Sequence, residues 1–310
     1  MTPPHAPRRL VIATRESTLA LSQARHVQTR LQALYPRAVI EFLVTPQAAR
    51  TSERISRGGD HGRARELEAA LAEGRADVLV HALKDIPLEV PDEFVLAAIE
   101  ARDDARDALT SMRHASLASL PRAAVVACAG ACSELQVRER FPALDVRPVA
   151  SDACDVAREL REGRFDAMVL PVADAKSLGL GDFVRELFDP ADILPAPGQG
   201  VLALECRADR GDVIAALAPL NDTATQLASM AERGFARALA GGSGTPLAAH
   251  ATWQEGSLWL RGLIGTHDGR RVIRAEHARE IVDVADAYAL GVDLADELLT
   301  HGAGRLIVND

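Results

Sequence analysis

Two short stretches place ionisable side chains directly after apolar, strand-like runs. Arg15 and Ser17 follow Leu10-Val11-Ile12-Ala13, and Lys84 and Asp85 follow Val78-Leu79-Val80 on a short loop. The carboxyl ends of parallel strands are where such sheets present ligand-binding groups. A guanidinium beside a helix N-terminus suits a carboxylate, and a loop carboxylate suits a cation or a proton in transfer. Asp85 is therefore the catalytic candidate, with Arg15, Ser17 and Lys84 as binding candidates. Each has a plainer use: Ser17 as a helix N-cap, Arg15 as a surface charge, Asp85 as a turn cap beside Lys84.

A third stretch, Gly241-Gly242-Ser243-Gly244-Thr245-Pro246, is a glycine-rich turn ahead of an apolar run. It lacks the second glycine and the preceding strand of a nucleophile elbow, so it does not read as a serine-hydrolase site. Four cysteines are present, Cys128, Cys132, Cys154 and Cys206. Cys128 and Cys132, with Cys154 or His61, could offer soft metal ligands, but the spacing fits no common zinc pattern. Small buried cysteines are the ordinary alternative. The roles of Cys128, Cys132 and Cys154 stay open here.

The elements that must position these residues follow from periodicity. Apolar residues at helical spacing from Ser17 to Tyr35 predict a helix that ends before Pro36. Val39 to Val44, Val78 to Val80 and Phe94 to Ala98 read as strands, with a helix over Glu66 to Glu73. The pattern recurs in type from Ala123 to Leu170. Alternating strands and helices predict mostly parallel, helix-covered sheets. Crossings near 101–107 and 194–200 predict two lobes with a hinge and a ligand-binding cleft between them. From 220 the pattern changes to a long helix, three antiparallel strands and a closing helix. The expected fold is two periplasmic-binding-protein-like α/β lobes plus a small C-terminal α+β domain. Their bounds are 8–103 with 198–219, 104–197, and 220–310.

The chain has 310 residues, 48% hydrophobic and 25% charged, with a net charge of −9. That length supports more than one core. The acidic balance argues against a nucleic-acid partner, and the 4% aromatic content against a base-stacking platform. No apolar run is long enough to span a bilayer. The expected setting is the cytoplasm, with a monomer and a small-molecule ligand.

Taken in order, Ala13-Thr14-Arg15-Glu16-Ser17, Val80-His81-Ala82-Leu83-Lys84-Asp85-Ile86-Pro87, Pro195-Ala196-Pro197-Gly198-Gln199-Gly200, Glu205-Cys206-Arg207 and the Ser243 loop resemble the porphobilinogen deaminase (hydroxymethylbilane synthase) family. The resemblance covers residues 8 to 310 in one collinear arrangement. It implies the three-domain layout and a transferase of tetrapyrrole biosynthesis that polymerises porphobilinogen. It implies Arg15, Ser17 and Lys84 as binders of substrate and cofactor carboxylates. It also implies Asp85 as the group that handles pyrrole N–H protons and the developing azafulvene cation, and a dipyrromethane cofactor held by a thioether at the position of Ser243.

Against that pattern the chain departs where charge matters most. The family cysteine is Ser243, and a serine hydroxyl lacks the thiolate character that attacks an azafulvene. Two paired arginines become Cys132 and Ser133, and two more become Ala150 and Val156. The lid segment becomes Gly58-Gly59-Asp60-His61-Gly62-Arg63. Each porphobilinogen brings two carboxylates, and each charge-assisted hydrogen bond contributes about 1.5–3 kcal/mol. The expectation is a family member whose reaction is lost or altered and which carries no dipyrromethane. The alternatives are an active hydroxymethylbilane synthase with an unusual anchor, or a two-lobed ligand-binding or regulatory paralogue.

Overall fold

The computed structural model describes residues 6–45, 61–149, 158–239 and 245–307. Its first segment runs β1 (Arg9–Arg15), α1 (Thr18–Leu34), β2 (Val39–Thr45), α2 (His61–Ala72), β3 (Val78–Ala82) and β4 (Phe94–Ile99). The second runs β5 (Asp107–Thr110), β6 (Val125–Cys128), α3 (Ala131–Arg140), β7 (Asp145–Pro148), β8 (Ala167–Pro171), α4 (Val172–Ser177) and β9 (Val184–Leu187). The third runs β10 (Leu202–Arg207), α5 (Gly211–Leu217), α6 (Thr223–Ala238), β11 (Leu247–Gln254), β12 (Ser257–Gly265), β13 (Val272–Arg279) and α7 (Val284–Thr300).

These elements form two five-stranded sheets, ordered β2-β1-β3-β10-β4 and β7-β6-β8-β5-β9, and a three-stranded sheet β11-β12-β13. Two mixed α/β lobes and a small C-terminal α+β part are the result. β1 and β6 lie in different sheets, as the sequence pattern requires. The sheets are more mixed than that pattern predicts. β1, β2 and β3 run parallel, whereas β10 pairs antiparallel with both β3 and β4. β5 likewise pairs antiparallel with β8 and β9. Each lobe thus completes its sheet with strands next to the chain crossings.

The chain divides into two compact units, Met1–Arg102 with Val201–Gln226, and Asp103–Gly200 with Leu227–Asp310. In the first, Leu10, Ile12, Val27, Leu31, Val78 and Leu204 form the core between the sheet and α1. On its other face, Val11, Ala13 and Leu79 pack on Leu67, Ala70 and Leu71 of α2. In the second, Leu109, Val126, Val137 and Val169 form one core. A further cluster joins Leu135 of α3 to Leu194, Ala248 and Leu263. Gly200 adopts φ +75°, and a Cβ there would stand 2.9 Å from the carbonyl oxygen of Asp104, so only glycine fits this point of the return crossing.

Candidate functional site

In the first unit the parallel register pairs Ile12 with Val78 and Ala13 with Leu79. The carboxyl ends of β1 and β3 therefore emerge side by side, and with them Arg15, Ser17, Lys84 and Asp85. Ser17 caps α1: its Oγ accepts a hydrogen bond from the Ala20 N–H at 3.2 Å. The hydroxyl proton remains available to a ligand, so the cap and binding roles are compatible. Arg15 is half-buried, and its guanidinium has no hydrogen bond or ion pair to another described residue. Next to it, the Thr14 hydroxyl is buried without a hydrogen-bond partner.

Beyond β3 the chain makes one 3₁₀ turn, Leu83–Asp85. Two backbone bonds fix it, Leu83 N–H to the Val201 carbonyl (2.9 Å) and Ile86 N–H to the Leu83 carbonyl (3.2 Å). Leu83 and Ile86 anchor the turn in a small cluster with Ile99, Val201 and Ala203. Between those anchors Lys84 and Asp85 stand half-buried, and each already engages a polar or charged neighbour. The neighbouring ends of β1 and β3 thus carry two basic side chains, Arg15 and Lys84, and one carboxylate, Asp85.

The second unit is built differently at the equivalent strand ends. α3 begins at Gly130 with no side-chain cap, and its first turn contains Cys132, Ser133 and Glu134, all buried. Cys132 Sγ donates to the Leu194 carbonyl at 3.2 Å and lies 3.4 Å from Gln136 Nε2. Gln136 grips the backbone of Leu194 from both sides, donating to its carbonyl at 2.9 Å and accepting from its N–H at 2.8 Å. Ser133 Oγ donates to the Gly130 carbonyl at 3.1 Å. Glu134 pairs with Arg138 at 2.7 Å. Positions 132 and 133 are thus packed inward and satisfied, and this turn offers no cation to an anion.

Burial pushes the thiols of Cys128 and Cys132 well above the ordinary range, and that of Cys206 up to about 11. None supplies a thiolate near neutral pH. Among the described residues no three His, Cys, Asp or Glu side chains are grouped to hold a metal ion. Cys154, Ala150, Val156, Asp60 and Ser243 lie outside the described residues, as does the side chain of His61. No helix among the described residues is long and apolar enough to cross a membrane.

Sequence reasoning missed Glu232. It is fully buried in α6, accepting from the Gly198 N–H at 2.7 Å and from the Ala251 N–H at 2.8 Å. One carboxylate therefore ties α6 to β11, the two elements that flank the Ser243 loop, and both to the return crossing. Its signal was present in the sequence as an acid within the apolar stripe Leu227, Ala228, Ala231, Phe235.

Comparison with known proteins finds a family model described as "Porphobilinogen deaminase, dipyromethane cofactor binding domain" over residues 10–215. A second, "Porphobilinogen deaminase, C-terminal domain", matches residues 226–300. Among curated relatives, the porphobilinogen deaminase of Paraburkholderia phytofirmans is 46% identical, over 99% of this chain and 90% of the relative. That of Burkholderia vietnamiensis is 47% identical, over 98% and 92%. Among solved structures, the methionine-binding protein MetQ aligns with a TM-score of 0.47 at 14% identity, over 71% of this chain and 91% of that one.

Proposed function

The chain belongs to the porphobilinogen deaminase family, and we propose that it binds a porphobilinogen-type pyrrole at Arg15, Ser17, Lys84 and Asp85 while the family's cofactor-anchored chain elongation is lost or altered. The observation that carries the reading is Arg15, a half-buried guanidinium without a partner among the described residues, at the end of the strand that pairs in parallel with the one leading into the Lys84–Asp85 turn. Arg15 and Lys84 match the two carboxylates of one monopyrrole. Asp85 takes the pyrrole N–H and offsets the positive charge that develops when ammonia leaves. The high identity to curated enzymes over almost the entire chain supports this reading over a solute-binding module with an unrelated ligand.

The residues present do not fit a thioether-held dipyrromethane. Position 243 is serine. The thiols of Cys128, Cys132 and Cys206 are buried and pushed up in pKa. Positions 132 and 133 turn inward instead of presenting arginines.

Calorimetric titration with porphobilinogen tests the retained half. Arg15→Gln removes a charge-assisted contact worth about 1.5–3 kcal/mol, so affinity is expected to fall roughly tenfold to a hundredfold. Equal affinity of parent and variant would place the ligand elsewhere. Absence of binding by the parent would favour a paralogue with a different ligand.

A further inference from the structure

Behind the Lys84–Asp85 turn lies a buried ionisable pair that the reading above does not use. His81 of β3 and Glu205 of β10 are 5% and 1% exposed, with His81 Nε2 3.2 Å from Glu205 Oε2. The geometry falls short of a hydrogen bond, and both His81 Nε2 and Glu205 Oε1 are buried polar atoms without a hydrogen-bond partner. Isolating such groups from water costs several kcal/mol, and apolar residues of similar size would be at least as stable there. The pair is therefore not explained by stability.

Its place in the sheet is specific. Glu205 lies opposite Leu79, and Ala203 opposite His81, in the antiparallel ladder that also carries Leu202 opposite Ala82. The next bond beyond that ladder is Leu83 N–H to the Val201 carbonyl, which opens the catalytic turn. On its other edge, β10 shifts register against β4 between Leu204 and Glu205. Such irregularities re-aim a side chain and recur beside active sites. Two residues past the Ala13–Leu79 pair, Arg15 and His81 fall on neighbouring strands and the same face of the sheet. A line of polar groups thus runs from Glu205 through His81 toward the end of the sheet that bears Arg15 and Asp85.

We propose that His81, packed against Glu205, is a positioning residue that sets the height and orientation of the Lys84–Asp85 turn relative to Arg15. The pair touches no substrate atom. It acts through the two residues that link His81 to Lys84 and through the β10 strand that clamps them. The inference rests on Asp85 and Arg15 being the working site, as proposed above.

The test is the double variant His81→Leu/Glu205→Leu, compared with the parent by thermal melting, by the ¹³C carboxyl resonance of Asp85, and by porphobilinogen titration. The variant is expected to melt no lower than the parent, because the buried polar pair is replaced by apolar volume. Its Asp85 resonance is expected to shift, and its porphobilinogen affinity to fall at least about tenfold, one hydrogen bond's worth. The resonance needs no ligand, so it decides the positioning claim even where the parent fails to bind porphobilinogen and the proposed function falls. A folded variant with an unmoved Asp85 signal overturns the inference. So does a variant that cannot fold, since the pair would then be holding β10 in place rather than aiming the turn.

Discussion

Hydroxymethylbilane formation from porphobilinogen is expected to be at least about a thousandfold slower than in a family member that keeps the cysteine and the arginines. A thousandfold is about 4 kcal/mol of lost transition-state stabilisation, within the range that two or three charge-assisted hydrogen bonds supply. Where the family resemblance implies four arginines and an anchoring thiol, the chain has Cys132, Ser133, Ala150, Val156 and Ser243. Ser243→Cys alone is expected to give at most a cofactor-loaded protein that fails to elongate, because the added acetate and propionate groups still lack partners. Recovery needs arginines at all four positions as well, with non-additive gains. The structure adds a difficulty: Cys132 sits in an apolar cluster with its thiol on the Leu194 carbonyl, so arginine there must break that contact before it can meet an anion. Assay of the linear tetrapyrrole by cyclisation and absorbance checks both. Full turnover by Ser243→Cys alone would show that the lost arginines matter little.

Glu232→Ala is expected to lower stability by at least about 2 kcal/mol, because two buried backbone N–H groups lose their acceptor and each costs about 1–3 kcal/mol. Those donors belong to Gly198 and Ala251, so the effect reaches both the return crossing and the first strand of the C-terminal sheet. Urea denaturation reads it as a fall in midpoint. A drop under about 1 kcal/mol, the size of an exposed contact, would mean that water replaces the carboxylate at no cost and that the tie is incidental.

The part of the site that was legible in the sequence is the part set by local pattern. Leu10 to Ala13 followed by helical spacing from Ser17 fixed β1, the cap and α1, and the capping bond from Ala20 is in place. Lys84 and Asp85 were legible because Val78 to Val80 is an unbroken apolar run that ends just before them. β10 was not, although Leu202 to Cys206 is apolar enough: nothing local says that a strand after Gly200 will turn antiparallel and enter the first sheet between β3 and β4. The same non-local pairing hid Glu205, a charged residue that only the fold places against His81. Cys132 and Ser133 were legible as lost arginines, but their inward packing depends on Leu194, far along the chain, and could not be read from the helix alone.

The central claim is that this chain does not carry the family's covalent cofactor, and intact mass measures it directly. Protein produced in a host that makes porphobilinogen, purified without denaturation and weighed whole, is expected to show the mass of the unmodified polypeptide. Ser243→Cys prepared in parallel, expected to gain the dipyrromethane, shows that the host supplies the precursor. A dipyrromethane adduct on the parent protein, mapped by peptide fragmentation to Ser243, would contradict the account and return the chain to its family's ordinary chemistry with a different anchor.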